Sequence, residues 1–115
     1  MLIVDDDPDF RRLVRTMLAV SGLTVIGEAQ SISAALLAAA MLRPDAVLVD
    51  IGLPDGDGID LGRALAAMPW APRVILTSCN PWMVDGRDDL EGCLAFLPKE
   101  DLPNAPLLQL MGSGS

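Results

Sequence analysis

Four short apolar runs in this 115-residue chain each end in a polar group able to do chemistry. Leu2-Ile3-Val4 leads into Asp5-Asp6-Asp7, Val47-Leu48-Val49 into Asp50, Val74-Ile75-Leu76 into Thr77, and Leu94-Ala95-Phe96-Leu97-Pro98 into Lys99. If these runs are neighbouring parallel strands, carboxylates, a hydroxyl and an ammonium meet at the carboxyl edge of one sheet, where open α/β sheets bind ligands. Such a set, in a chain without histidine, suits a divalent cation and a phosphoryl group.

Carboxylates held about 4 Å apart repel by roughly 4 kcal/mol per pair at an effective dielectric near 20. A proton offsets that cost by raising a pKa, whereas a magnesium ion offsets it and leaves the carboxylates ionised and nucleophilic. Asp50 is then the nucleophile toward a phosphoryl donor, and the product is an aspartyl phosphate. The Thr77 hydroxyl, the Lys99 ammonium and backbone N–H groups after Asp50 and Thr77 supply donors for the phosphoryl oxygens. Each residue alone has a plainer explanation. The acidic run could favour a helix N-terminus, Asp50 could open a loop, Thr77 could fill a strand and Lys99 could be a solvated cation. Their placement at four separate strand ends favours the shared site.

The elements that must position these groups alternate between strand and helix. Asp7-Pro8 reads as an N-cap followed by proline at the first helical position, and Phe10, Leu13, Val14, Met17 and Leu18 then recur at helical spacing. Leu23 to Glu28 is expected as a strand, and Ser31 or Ser33 caps an alanine-rich helix to about Leu42. After the Asp45 to Asp50 strand, Gly52-Leu53-Pro54-Asp55-Gly56 reads as a turn, and Leu61, Leu65 and Met68 line a third helix. The fourth helix is poor in signal around Gly86, and Pro103 and Pro106 interrupt the fifth. Five such strands imply a doubly wound parallel sheet with helices on both faces. The first strand is then central beside the third, and the switch point lies between them.

Composition narrows the function classes. The apolar content of 51% supports a single-domain core. A formal charge of −8 argues against direct nucleic-acid binding by this domain, because such binding rests on cations facing phosphates. No apolar stretch reaches membrane-spanning length, and only four residues precede the acidic run, so a soluble, cytoplasmic protein is expected. Cys79 and Cys93 have no His or CxxC partner and read as small buried residues, as Trp70 and Trp82 read as packing residues. Residues 112–115, Gly-Ser-Gly-Ser, resemble a flexible tail.

Leu-Ile-Val-Asp-Asp-Asp-Pro at the start, Val-Leu-Val-Asp-Ile-Gly-Leu-Pro-Asp-Gly-Asp-Gly, Leu-Thr-Ser and Ala-Phe-Leu-Pro-Lys together resemble the receiver domain of bacterial two-component response regulators. The blocks occur in order over nearly the whole chain, with 44 residues from Asp6 to Asp50 and 22 from Thr77 to Lys99. The resemblance implies a flavodoxin-like fold with strand order 2-1-3-4-5, a receiver spanning 1–111, and Asp50 phosphorylated by a histidine kinase or phosphotransfer protein. It implies Mg2+ held by Asp6, Asp50 and the Gly52 carbonyl, with Asp5 acting through water. It further implies Thr77 and Lys99 as the hydroxyl and lysine of the site, and Thr77 and Phe96 as a coupled switch. The family's only chemistry of this kind is accepting and slowly losing its own phosphoryl group. A homodimer is compatible with the resemblance, although the weak fourth and fifth helices depart from the usual output face. Glu100-Asp101-Leu102 after Lys99 is closer to regulators that end in a helix-turn-helix DNA-binding domain.

Two alternatives carry different chemistry. A haloacid-dehalogenase-type phosphatase would use Asp5 as nucleophile, but its pattern needs threonine where Asp9 stands. A receiver-like interaction module would make no use of phosphate, which the retention of Asp5, Asp6, Thr77 and Lys99 disfavours. An EF-hand fails on spacing, since Leu53 and Ala64 would occupy ligand positions.

Overall fold

The computed structural model describes residues 1–20, 22–78 and the backbone of 95–98. Its elements are β1 (Leu2–Val4), α1 (Pro8–Val20), β2 (Gly27–Ala29), α2 (Ile32–Leu42), β3 (Ala46–Asp50), β4 (Gly52–Leu53), β5 (Gly56–Asp57), α3 (Gly58–Ala66), β6 (Arg73–Ser78) and β7 (Ala95–Pro98). Five strands form one parallel sheet in the order β2-β1-β3-β6-β7. Counting only these sheet strands, the order is the expected 2-1-3-4-5. Among the described residues no helix is long and apolar enough to cross a membrane.

The runs β1, β3 and β6 are apolar throughout because both faces of a central parallel strand are covered. On one face Leu2, Val4, Val47, Val49, Val74 and Leu76 pack with Ala35 and Ala39 of α2 and with Leu61 and Leu65 of α3. On the other, Ile3, Leu48 and Ile75 pack against Val14 and Leu18 of α1. The doubly wound arrangement follows from this alternation, since successive strand residues point to opposite faces.

Helix α1 starts as its sequence dictates. The Asp7 Oδ1 accepts the Asp9 amide at 2.9 Å, and Pro8 occupies a position where the missing N–H costs nothing. Leu13, expected on the apolar face, is instead 53% exposed. It lies one step of about 100° from Val14, off the edge of the buried stripe. Ser31 caps α2 by accepting the Ala34 amide at 3.1 Å, and Asp57 caps α3 through the Ile59 amide at 2.8 Å. Met68 falls beyond the end of α3 yet packs on the same core.

The structure corrects one expectation and extends another. The second strand is Gly27–Ala29, shorter and later than the Leu23 to Glu28 run. Its ladder matches the three residues β1 offers, Leu2 opposite Gly27 through Val4 opposite Ala29. The Gly52 to Gly56 turn is a small antiparallel hairpin, with Gly52 opposite Asp57 and Leu53 opposite Gly56. The fourth and fifth helices, Cys79, Trp82 and Cys93 lie outside the described residues.

Candidate functional site

Parallel pairing in register decides which side chains meet. Val4 is opposite Val49 across β1 and β3, so Asp5 and Asp6 leave the sheet beside Asp50. Asp50 is opposite Thr77 across β3 and β6. One carboxylate oxygen from each of Asp5, Asp6 and Asp50 lies within 4.8 Å of the other two. Asp5 and Asp50 are buried, at 0% and 6% exposure, while Asp6 faces solvent. The pocket thus has two inner carboxylates and one at its mouth.

Local hydrogen bonds fix this geometry. Asp5 Oδ1 accepts the Asp7 amide at 2.8 Å, and the Asp5 amide donates to the Ala29 carbonyl at 3.0 Å. Asp50 Oδ1 accepts the Gly52 amide at 3.2 Å, and the Ile51 amide donates to the Thr77 carbonyl at 2.9 Å. Thr77 is 1% exposed, and its Oγ1 has no hydrogen-bond partner among the described residues. A buried hydroxyl left in that state costs free energy unless another species completes it.

The donor set is all oxygen, with no imidazole or thiolate among the three gathered groups, and this suits a hard divalent cation. At 4.8 Å and an effective dielectric of 20, two carboxylates repel by about 3.5 kcal/mol. A cation that removes this repulsion fits the residues present. Gly52 and its carbonyl sit two residues past Asp50 in β4, at the start of the hairpin.

Not every expected group can be placed. Lys99 lies outside the described residues, and of Phe96 only the backbone in β7 is described, opposite Leu76. Conversely, three residues support the site in ways the sequence analysis did not assign to them. Gly58 brings its amide to the Ile51 carbonyl at 2.8 Å, and a Cβ there would lie 2.6 Å from the Ile51 Cα. The backbone beneath Asp50 therefore demands glycine at this position. Arg11 donates from Nη1 to the Asp5 carbonyl at 2.6 Å and from Nε to Glu28 Oε1 at 3.0 Å, tying the end of β1 to β2. Asp55 at the hairpin tip accepts the Ile32 and Ser33 amides at 2.8 and 3.2 Å, joining the segment after Asp50 to the start of α2. These bonds hold the exposed Asp55 carboxyl below its ordinary value, the Ile32 amide contributing most.

Comparison with known proteins agrees with this geometry. The family described as response regulator receiver domain matches residues 1–99. The KDP operon transcriptional regulatory protein KdpE of Escherichia coli K12 is 41% identical over 78 residues, covering 68% of this chain and 34% of KdpE. This chain therefore matches about a third of that relative's length. Among solved structures, a CheY-like receiver domain from Methylobacillus flagellatus has a TM-score of 0.81 at 27% identity, covering 94% of this chain and 93% of the other. The BeF3-activated N-terminal receiver domain of Klebsiella pneumoniae RstA has a TM-score of 0.73 at 29% identity, covering 85% and 83%. With the family matched across most of its length and the fold and acidic pocket in agreement, the chain belongs to the receiver domains of two-component response regulators.

Proposed function

We propose that Asp50 is the phosphoacceptor, that Asp5, Asp6 and Asp50 with the Gly52 carbonyl form a Mg2+ site, and that Thr77 and Lys99 receive the phosphoryl oxygens. The observation that carries this reading is the meeting of three carboxylates from two strands beside a buried hydroxyl that is in register with Asp50. In the transfer step an Asp50 carboxylate oxygen forms a bond to phosphorus. The phosphorus–nitrogen bond of a phosphohistidine donor breaks, and its electron pair stays on the imidazole. A bound magnesium ion supplies neutralising charge to the carboxylates and phosphoryl oxygens. The Thr77 O–H donates to a phosphoryl oxygen and gains the partner it lacks among the described residues, while the Lys99 ammonium provides a compact positive charge.

The donor partner is a histidine kinase or phosphotransfer protein, which makes the setting cytoplasmic. The chain's own chemistry is then limited to taking up and slowly hydrolysing its phosphoryl group. The response is a population shift in which Thr77 moves toward the phosphoryl group and the aromatic at Phe96 turns inward behind it. We read the receiver as extending through residue 111, with 112–115 as a tail. Output through a DNA-binding domain or a homodimer belongs to the same reading, and the name of KdpE as a transcriptional regulator supports it. The phosphatase alternative is weaker, because its pattern needs threonine where Asp9 stands and the receiver family matches residues 1–99.

Beryllofluoride, which is named as activating the RstA receiver domain, provides the test when added together with Mg2+. Amide NMR signals of Asp50, Gly52 and Thr77 are expected to shift on addition of both components and not with either alone. Unchanged spectra at saturating beryllofluoride and Mg2+ would favour an interaction module independent of phosphate.

A further inference from the structure

Helix α2 differs from α1 and α3 in the side it turns to solvent. The outward positions of α1 carry Asp9, Arg12 and Arg15, and those of α3 carry Asp60 and Arg63. The 11 residues of α2 include no charged one, in a chain of which 21% is charged. The core takes the small side chains of α2: Ala35 and Ala39 are fully buried, and Ala34 and Ala38 pack beside them. The larger ones face out. Leu37 is 65% exposed and Met41 75%, and Leu36 and Leu42 are exposed as well. A helix that is apolar all round is normally covered all round. Hydrophobic stabilisation scales with the apolar area removed from water, so a single copy leaves the larger apolar side chains of this helix unused.

The outer face has the layout of a self-contact. Leu37 is the central residue of α2, five from Ile32 and five from Leu42. Ser33, Leu37 and Met41 form one ridge at a spacing of four, with Leu36 and Ala40 beside it. Two such ridges interlock with helix axes about 8–10 Å apart, and Ala40 leaves room for a facing side chain. The two ends of the helix carry opposite charge. At its start the exposed Asp55 accepts the Ile32 and Ser33 amides, bonds that keep its carboxyl ionised at neutral pH. At its close the exposed Arg43 donates its backbone N–H to the Ala39 carbonyl at 2.8 Å, with its guanidinium over the Trp70 ring at 5.5 Å from the centroid. Two antiparallel α2 helices bring Asp55 of each toward Arg43 of the other, and their dipoles oppose favourably. In a chain of net charge −8, such a face lets a second copy approach without like charges meeting. A membrane surface fits less well, because an interfacial helix carries Lys and Arg along its polar face and α2 has neither.

We infer that the outer face of α2 is a self-association surface, on which a second copy of this chain packs antiparallel about a two-fold axis beside Leu37, with Asp55 of each copy facing Arg43 of the other. The association goes beyond the phosphoryl chemistry and stands whether or not Asp50 is the phosphoacceptor. One face of an 11-residue helix buries less than the about 800 Å2 per partner of a standard interface, so the dimer is weak, with Kd on the order of 100 µM.

The test is sedimentation equilibrium of the 115-residue chain in EDTA without a phosphoryl donor, from about 10 µM to about 1 mM, a range that brackets the expected Kd. The wild type should pass from monomer to dimer. Leu37→Glu sets two like charges on the axis and should weaken association about 100-fold, and Arg43→Glu should weaken it about tenfold. Circular dichroism should show wild-type helix content in both, since each replaced side chain is on the surface. Oxidative cross-linking reads the orientation. Leu37→Cys should link to itself above the wild-type background, Ser33→Cys should link to Met41→Cys more than either links to itself, and the exposed Val20→Cys on α1 should stay at background. The inference is overturned by monomer mass over the whole range, by dimerisation of folded Leu37→Glu, by full association of Arg43→Glu, or by equal cross-linking of Leu37→Cys and Val20→Cys. A chain that stays monomeric but sediments with phosphatidylcholine vesicles would overturn it in favour of a membrane surface.

Discussion

Replacing Asp50 by asparagine should make the metal-free protein more stable. The carboxylate oxygens of Asp5, Asp6 and Asp50 lie within 4.8 Å of one another, so at an effective dielectric of 20 each pair costs about 3.5 kcal/mol. Asp6 is exposed, and solvent and salt screen its share. Asparagine keeps the volume of Asp50 and an Oδ1 that still accepts the Gly52 amide. A net gain of about 2 kcal/mol is expected after screening, equivalent to a rise of about 8 °C in melting temperature for a domain of this size. Thermal denaturation followed by circular dichroism, near neutral pH with EDTA and low salt, measures the difference. Added Mg2+ should then raise the wild-type melting temperature with concentration, as mass action requires, and close the gap, while the variant responds weakly. Melting of Asp50→Asn at or below the wild type in EDTA would refute the electrostatic reasoning. An equal Mg2+ response from both proteins would do the same.

Thr77→Val removes a buried hydroxyl that lacks a hydrogen-bond partner among the described residues. It should leave stability unchanged or raise it by up to about 1 kcal/mol, while weakening the beryllofluoride-driven shifts at Asp50 and Gly52. A clear loss of stability in urea denaturation would mean that the hydroxyl has a structural partner. Gly58→Ala places a methyl group 2.6 Å from the Ile51 Cα and should cost about 3 kcal/mol, with loss of phosphoryl uptake as the Asp50 backbone shifts. Wild-type stability in that variant would contradict the packing at this position. Glu28 accepts Arg15 at 2.6 Å and Arg11 at 3.0 Å, and the Arg15 hydrogen bond is the main cause holding its carboxyl below the ordinary 4.5. A lowered folded-state pKa contributes stability above the unfolded value that is lost as pH falls below it. Glu28→Gln should therefore cost about 1 kcal/mol at neutral pH and nothing in strong acid, and a cost that persists in acid would exclude this origin.

The elements that position the site were legible where the sequence pattern is local. The runs ending at Val4, Asp50 and Ser78 are strands because central parallel strands need apolar residues on both faces, and their register brings Asp5, Asp6 and Asp50 together. The Asp7-Pro8 cap and the Ser31 cap were legible for the same reason, since each acts within its own first turn. What the sequence did not disclose depends on contacts distant along the chain. The length of β2 is set by its pairing with β1, so the alternation from Leu23 to Glu28 misplaced it. Asp55 caps a helix that begins 23 residues before it, and Arg11 joins β1 to Glu28 across 17 residues. Gly52-Leu53-Pro54-Asp55-Gly56 signalled a turn, but nothing local signalled that Gly58 lies against the Asp50 backbone. The Arg43 and Trp70 pairing joins two loops whose proximity exists only after the sheet has formed.

The proposed site turns on which carboxylate takes the phosphoryl group. The most direct measurement is to incubate the folded chain with acetyl phosphate and Mg2+, reduce the acyl phosphate with borohydride, and map the reduced residue by peptide mass spectrometry. Reduction is expected at Asp50 alone, dependent on Mg2+ and absent from Asp50→Asn. Reduction at Asp5 or at another carboxylate, or none in a chain that remains folded, would contradict it.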